Sequence, residues 1–204
     1  ISAPLYAFDA EVRSQYGCFA GVDEAGRGPL CGPVCVAACI LDPENPVYGI
    51  NDSKKLTPAR RELLSVKIAE VATAIGFCHI APKDIDEMGM ARAIRTAVAG
   101  AVADTGLEPD CVLMDGNPLG AVPNERDVVK GDAKIACIAA ASIMAKVTRD
   151  EMMVEYDAEY PEYHLAESKG YASPEHIEAI RKHGLCPLHR VSFCGNFLQT
   201  ERLF

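Results

Sequence analysis

Short apolar runs and longer amphipathic stretches alternate along the chain. Cys18-Phe19-Ala20-Gly21-Val22 reads as a first strand that ends on Asp23, and residues 34–41, small and apolar throughout after Gly32-Pro33, read as a second. Asp42-Pro43-Glu44-Asn45-Pro46 supplies a turn, because these residues favour turn backbone. Thr57-Pro58 offers an N-cap followed by proline at the first helical position. The helix behind it, to about residue 73, takes its apolar positions from Leu63, Leu64, Val66, Ile68 and Val71. Residues 74–80 return as a strand. Residues 85–103 read as one continuous helix with a small-residue face of Ala93, Ala97, Gly100 and Ala101, closing near Gly106.

Cys111-Val112-Leu113-Met114 reads as a short buried strand ending on Asp115-Gly116, and Asp127-Val128-Val129-Lys130 as another. Gly131-Asp132 leads into a long helix over about 133–160, and Ser173-Pro174 caps a last helix that ends at His183-Gly184. Strands first, then strands alternating with helices, predict an α/β sheet flanked by helices. No repeat, low-complexity tract or flexible linker breaks the pattern. A single domain over 1–204 is expected, with an α/β core over about 1–160 and a C-terminal addition over about 161–204.

The stretch Gly21-Val22-Asp23-Glu24-Ala25-Gly26-Arg27-Gly28-Pro29 carries the most chemistry. Two adjacent carboxylates at the end of a buried strand repel each other, and a divalent cation resolves that conflict because hard cations take carboxylate oxygens. Glycine lets backbone approach a ligand closely, and arginine meets phosphate with a two-pronged donor, so Gly26-Arg27-Gly28 reads as a phosphate-facing loop. The plainer reading is a polar turn after a strand. Asp115 ends a later strand and Asp132 begins a helix. Singly, Asp115-Gly116 is a common turn and Asp132 an N-cap. Sites in α/β sheets gather at strand ends, and four acids converging there suit two divalent ions roughly 4 Å apart.

Composition adjusts this picture in three places. At 49% hydrophobic and 24% charged the chain can bury a sizeable core. No apolar run is long enough to span a bilayer, and residues 1–17 carry no basic-then-apolar secretory pattern. The chain begins with Ile1 rather than Met, so a native start further upstream is expected. The nine cysteines form no Cys-x-x-Cys pair and sit mostly in apolar runs, which argues for reduced thiols in a cytoplasmic protein. Cys31, Cys35 and Cys39 share a parity and are expected on one strand face as small core residues. Cys186, His183, His189 and Cys194 form a looser cluster whose spacings match no usual zinc finger.

The net charge of −9 runs against non-specific nucleic-acid binding, yet the bases cluster near the acidic motifs: Lys54, Lys55, Lys130, Lys134, Lys146, Arg149 and Lys169. An acidic surface around a basic, metal-loaded cleft leaves recognition to specific contacts. Ser142, Lys146 and Arg149 are spaced i, i+4 and i+7 and share a helix face that would grip a phosphate backbone. The alternative is an exposed salt-bridged face, with Arg149 paired to Asp150 or Glu151. Lys54, in a loop after Asp52-Ser53, also reaches toward phosphate, and Asn51 and Lys169 are further contacts.

From about Cys18 to Phe193 the chain resembles the ribonuclease HII family, the bacterial and archaeal type 2 ribonucleases H. The resemblance is carried by the motif over 21–29, Asp52-Ser53-Lys54-Lys55-Leu56, Met114-Asp115-Gly116-Asn117 and Lys130-Gly131-Asp132. It continues through residues 138–150, Ser168-Lys169-Gly170-Tyr171 and His189-Arg190-Val191-Ser192-Phe193. It implies a ribonuclease H-like fold: a mixed five-stranded sheet with helices on both faces and a helical C-terminal extension. It implies that Asp23, Glu24, Asp115 and Asp132 bind two Mg²⁺ or Mn²⁺ ions, that Gly26, Arg27 and Gly28 surround the ribonucleotide 2′-hydroxyl, and that Tyr171 packs on the following deoxyribose. The implied reaction hydrolyses the RNA strand of RNA–DNA hybrids and incises 5′ to a single ribonucleotide in duplex DNA, leaving 3′-hydroxyl and 5′-phosphate ends. Lys54, Ser142 and Lys146 would contact phosphate.

The chain departs from relatives at Tyr163-His164-Leu165, where Gly-Phe is common, and this puts the setting of Tyr171 in question. The ribonuclease HIII family is the near rival, but it lacks the Gly-Arg-Gly loop and ends its acidic set with Glu where this chain has Asp132. A catalytically silent hybrid-binding module and a transposase-type nuclease on the same fold are the rivals from other classes. The C-terminal Gln199-Thr200-Glu201-Arg202-Leu203-Phe204 is similar to sliding-clamp binding peptides. By analogy a monomer is expected.

Overall fold

Phe19–Ala25 (β1) is the central strand of a five-stranded sheet in the computed structural model, which describes residues 3–116, 119–128 and 130–198. The other strands are Val34–Ile40 (β2), Ala74–Ile80 (β3), Cys111–Asp115 (β4) and Glu125–Val128 (β5), in the order β3-β2-β1-β4-β5. β1 to β3 form an antiparallel meander, whereas β4 and β5 run parallel to β1. The sheet is therefore mixed. Val22 and Met114 are the last pair of the parallel β1–β4 ladder, so the next residues, Asp23 and Asp115, follow where these two strands part, each still paired to its other neighbour in the sheet.

Burial follows the strand period of two. Val34, Val36 and Ala38 face one side of β2 and pack with Ile94, Ala97, Val98 and Ala101 of helix Met90–Asp104 (α4). Ala37 and Cys39 face the other side, into a core built on helix Ala136–Glu159 (α5) with Leu64 and Ile68 from Pro58–Val71 (α2) and Leu5 and Val12 from Ala3–Tyr16 (α1). Each large aliphatic side chain so buried contributes about 1.5–3 kcal/mol. A third apolar cluster joins the far end of α5 to the C-terminal part. Met153 meets Tyr163, Leu165 of Leu165–Ser168 (α6), Ile180 of Pro174–His183 (α7) and Cys194 of Val191–Cys194 (α8).

Four expectations change. The helix expected over 85–103 is two, Pro82–Met88 (α3) and α4, because Gly89 between them takes φ +79°, which no helix accommodates. β5 begins at Glu125, two residues before the expected start. Helix α5 starts at Ala136, and Gly131–Ala133 ahead of it forms a short 3₁₀ turn. Helix α1 has no counterpart in the sequence reading, since its buried apolar positions, Leu5 and Val12, are too sparse to mark a face.

Helix α1 nonetheless has a structural task. Ile135 gives α5 no side-chain cap, and the buried Asp9 of α1 supplies one. Its Oδ1 accepts the Ala136 N–H at 2.7 Å and its Oδ2 the Cys137 N–H at 3.2 Å. Among the cysteines, Cys39 is core and Cys35 lies 3.8 Å from the Met152 sulfur. Cys31 does not share their strand: it precedes β2 and forms an isolated bridge with His189.

Candidate active site

Asp23 and Glu24 occupy the C-terminal end of β1, at the floor of a cleft of about 280 Å³. Gly26, Arg27 and Gly28 form one wall, Ser53 and Lys54 another, with Ser142 and Lys146 from α5, and Tyr171 opposite. The motifs that the sequence spreads over some 150 positions thus face a common space. Asp115 and Asp132 are not in the lining of this cleft. Asp115 ends β4 and accepts the Gly131 N–H at 2.8 Å, which seats the turn bearing Asp132 beside it.

The charges feel one another. Burial first, then Glu24 and then Asp132 push the Asp23 carboxyl up to about 7, against hydrogen bonds from Ser142 and its own Glu24 N–H, 2.8 Å away, that favour the ionised form. Asp132 is also raised, by burial and then by Asp52 and Asp115. Asp52 is a fifth acid that the sequence reading did not single out. Among the described residues no three of these acids bring oxygens within 4.8 Å of one another. The donor set is all oxygen, which fits a hard divalent cation such as Mg²⁺ or Mn²⁺.

Ser142 couples the cleft walls. Its hydroxyl lies 2.8 Å from Ser53 Oγ, and its interaction with Asp23 favours the ionised carboxyl. A carboxylate only accepts, so a Ser142 hydroxyl turned to Asp23 leaves Ser53 to donate to Ser142. Ser53 is held in turn by Arg61 of α2, whose Nη1 donates to the carbonyls of Ser53 (3.0 Å) and Leu56 (2.7 Å). Arg61 also lines the cleft. Lys146 is the only member of its expected helix face committed to an ion pair, with Asp150 at 2.6 Å. Arg27 reaches back to Glu24 at 3.4 Å and is largely solvent-exposed.

Arg149 corrects both readings made of it. It is neither a phosphate contact nor part of an exposed ion pair: it is fully buried, with Nε donating to Pro33 O (2.9 Å), Nη1 to Lys169 O (2.9 Å) and Nη2 to Cys31 O (3.0 Å). Ala145 and Met153, one turn to either side, are the signal that this face turns inward. Arg190, also fully buried, gathers the carbonyls of Gly26, Arg27, Pro29 and Gly32. Gly26 has φ +94°, and a Cβ there would stand 2.1 Å from Arg149 Nε. The two guanidiniums thus fix the Gly-Arg-Gly loop from beneath while its outer side faces the cleft.

Tyr171 lines the cleft despite the local departure. His164 adopts φ +52°, Tyr163 is buried with its hydroxyl donating to Gly184 O at 3.0 Å, and Leu165 is fully buried. The Tyr171 carbonyl accepts from Ser173 N–H and from the His176 ring, each at 2.8 Å. Its ring stays half-exposed, with Cε1 3.9 Å from where a Gly28 side chain would begin. Of the looser C-terminal cluster, His183 sits edge-on to Tyr163 and Cys194 faces Leu30 O, so neither joins Cys186 and His189.

A mixed sheet in this order, with acids at the parallel ends of its middle strands and a glycine loop over them, defines a nuclease of the ribonuclease H-like class. The chain belongs to the ribonuclease HII family, whose model matches residues 20–196. It is 45% identical over 197 residues to a ribonuclease HII of Ruminiclostridium cellulolyticum, covering 96% of this chain and 77% of that one. A Marinomonas ribonuclease HII is 50% identical over 176 residues (85% and 88% covered). Among solved structures, the ribonuclease H2 of Pyrococcus horikoshii superposes with a TM-score of 0.73 at 30% identity, covering 85% of this chain and 92% of that one. The fold is shared with an Archaeoglobus fulgidus RNase HII solved in complex with PCNA (TM-score 0.75, 23% identity, 90% and 98% covered). It is shared too with a ribonuclease HIII solved with Mn²⁺ (TM-score 0.70, 19% identity, 86% and 67% covered).

Proposed function

We propose that this cleft is the catalytic site of an endoribonuclease that hydrolyses the RNA strand of RNA–DNA hybrids and incises 5′ to single ribonucleotides in duplex DNA, leaving 3′-hydroxyl and 5′-phosphate ends. What supports the reading most is that Asp23 and Asp115 each follow directly on Val22 and Met114, the last pair of the parallel β1–β4 ladder, next to the cleft that Asp23, Gly28 and Tyr171 line.

In this reading Asp23, Glu24, Asp115 and Asp132 hold two divalent cations, Mg²⁺ or Mn²⁺. Such ions supply Lewis acidity to phosphodiester hydrolysis. The protein's own share is positioning. Ser142 orients the Asp23 carboxylate, and Ser53 orients Ser142. Gly26, Arg27 and Gly28 present backbone groups to the ribose 2′-hydroxyl, the group that distinguishes RNA from DNA. Tyr171 offers its exposed ring to the next sugar. Lys54 and Lys146 meet phosphate.

The chain works as a cytoplasmic monomer in this proposal, and no helix among the described residues is long and apolar enough to cross a membrane. The segment Gln199 to Phe204, proposed to dock on a sliding clamp, lies outside the described residues. A pull-down with purified clamp, before and after deletion of that segment, tests the point: equal recovery would end it.

The reaction is tested with three labelled duplexes, one all DNA, one DNA bearing a single ribonucleotide and one RNA–DNA hybrid, each with Mg²⁺, Mn²⁺ or chelator. Cutting of the two ribose-containing substrates alone, and only with metal, supports the assignment. Cutting of all-DNA duplex would favour a transposase-type nuclease, and no cutting a binding module.

A further inference from the structure

Away from the carboxylates, Cys31 Sγ, Cys186 Sγ and a ring nitrogen of His189 all lie within 4.8 Å of one another. Cys31 stands on the loop between β1 and β2. Cys186 and His189 stand three residues apart in the turn between α7 and α8. The two segments are joined by the backbone bridge between Cys31 and His189, so the grouping is fixed by main chain and not by flexible side chains alone.

The protonation of His189 follows from its partners. His176 Nδ1 lies 2.8 Å from the Tyr171 carbonyl oxygen, which can only accept, so that nitrogen carries the proton. His176 Nε2 is then an acceptor, and His189 Nε2, 3.1 Å away, donates to it. The lone pair of neutral His189 is left on Nδ1. Nδ1 accepts the Cys186 N–H at 3.0 Å, a bond that a cation on this nitrogen would replace, and the Cys186 sulfur lies 3.1 Å from it. A metal-bound histidine whose far N–H is held by a fixed acceptor is the usual second layer of a zinc site. Both histidines are buried.

We propose that Cys31, Cys186 and His189 Nδ1 bind one zinc-class cation, clamping the C-terminal extension onto the loop that follows Gly26-Arg27-Gly28. The donor set, two sulfurs and one imidazole, suits Zn²⁺ and not the oxygen-seeking Mg²⁺ or Mn²⁺. A small ligand such as water completes the coordination beside the partly exposed Cys186. Zinc held there ties the Gly-Arg-Gly side of the cleft to the Tyr171 side through the His189–His176–Tyr171 hydrogen bonds. It stabilises the folded chain by mass action, since the unfolded chain has no such site.

The test uses the full chain, purified without a histidine tag and stripped with chelator. Equilibrium dialysis against Zn²⁺ alone, with Mg²⁺ in excess, is read by elemental analysis, and Co²⁺ loading is read by its thiolate charge-transfer absorption. We expect one zinc per chain, the cobalt–thiolate band, and a raised melting temperature with zinc. Cys31→Ser and Cys186→Ser lose all three, and Cys18→Ser, outside the cluster, keeps them. Wild-type protein that takes up no more zinc than the Cys31→Ser/Cys186→Ser double variant, or shows no thiolate band, overturns the proposal. So does oxidation of Cys31 and Cys186 to a disulfide in protein that takes up no metal. The wild-type measurements stand even if a variant fails to fold.

Discussion

Arg190 Nη2 lies 2.7 Å from the carbonyl oxygen of Gly26. One side chain at the end of the fold thus anchors the first glycine of the Gly-Arg-Gly loop, and it takes in the carbonyls of Arg27, Pro29 and Gly32 as well. Burial and the neighbouring Arg149 hold the Arg190 guanidinium down to about 10, which leaves it charged at neutral pH. Lysine has neither the planar fork nor the donors to replace it. Arg190→Lys is expected to destabilise the fold by about 3 kcal/mol, since each carbonyl stranded in a buried site costs about 1–3 kcal/mol. Urea unfolding checks this, and a midpoint equal to wild type would refute it.

The Ser53–Ser142–Asp23 chain of hydrogen bonds makes a prediction about activity. Ser142→Ala removes a hydrogen bond to a carboxylate, worth about 1.5–3 kcal/mol, and should lower kcat by roughly 10–100-fold with little change in melting temperature. Ser53→Ala should lower it less. Because the two act through one oxygen, the double variant should be little worse than Ser142→Ala alone. Single-turnover cleavage of a ribonucleotide-bearing duplex measures both, and strictly multiplicative losses would show that the serines act separately.

Lys146 is paired with Asp150 at 2.6 Å, which restrains its reach toward phosphate. Asp150→Asn should release it. The expected outcome is tighter hybrid binding, about two- to five-fold at low salt, with a salt dependence steeper by roughly one phosphate contact. Titrations at several salt concentrations read this directly. Unaltered affinity and slope would place Lys146 outside the nucleic-acid interface.

Asp9 links pH to stability. Burial raises its carboxyl to about 6, over the opposing hydrogen bonds at the start of α5. The folded chain therefore holds this proton more tightly than the unfolded chain does. Its stabilising contribution is complete below the ordinary carboxylate value and is lost as pH rises through about 6, because the folded form must then bear a buried charge. Between about pH 4 and 6 the wild type should lose stability relative to Asp9→Asn, whose side chain does not titrate. Denaturation of both proteins across that window checks the sign. A wild-type advantage that grows with pH would reverse it.

Most of the scaffold was readable because its signals are local. Apolar runs marked the strands, Thr57-Pro58 and Ser173-Pro174 marked helix starts, and Asp115 ended a strand. What escaped depends on distance. Arg149 reads from its neighbours in sequence as a surface base, yet three carbonyls from two other segments enclose it. The acceptors of Arg190 lie about 160 positions away, beyond any periodicity. Cys31 reads as a strand cysteine until the bridge to His189 removes it from that row. Helix α1 is tied to the start of α5 by one polar residue, Asp9, whose Ala136 partner is 127 positions distant. The Gly89 break was visible in the sequence, but a helical pattern on both sides concealed it.

Asp23, Glu24, Asp115 and Asp132 are proposed to act together as a cation site at the end of the sheet. Crystals soaked in Mn²⁺ and measured at the manganese edge test it most directly. Anomalous peaks should fall among these four carboxylates, with oxygen ligands, and should vanish in Asp23→Asn. Peaks elsewhere, or none at these acids in crystals that retain activity, would contradict the account.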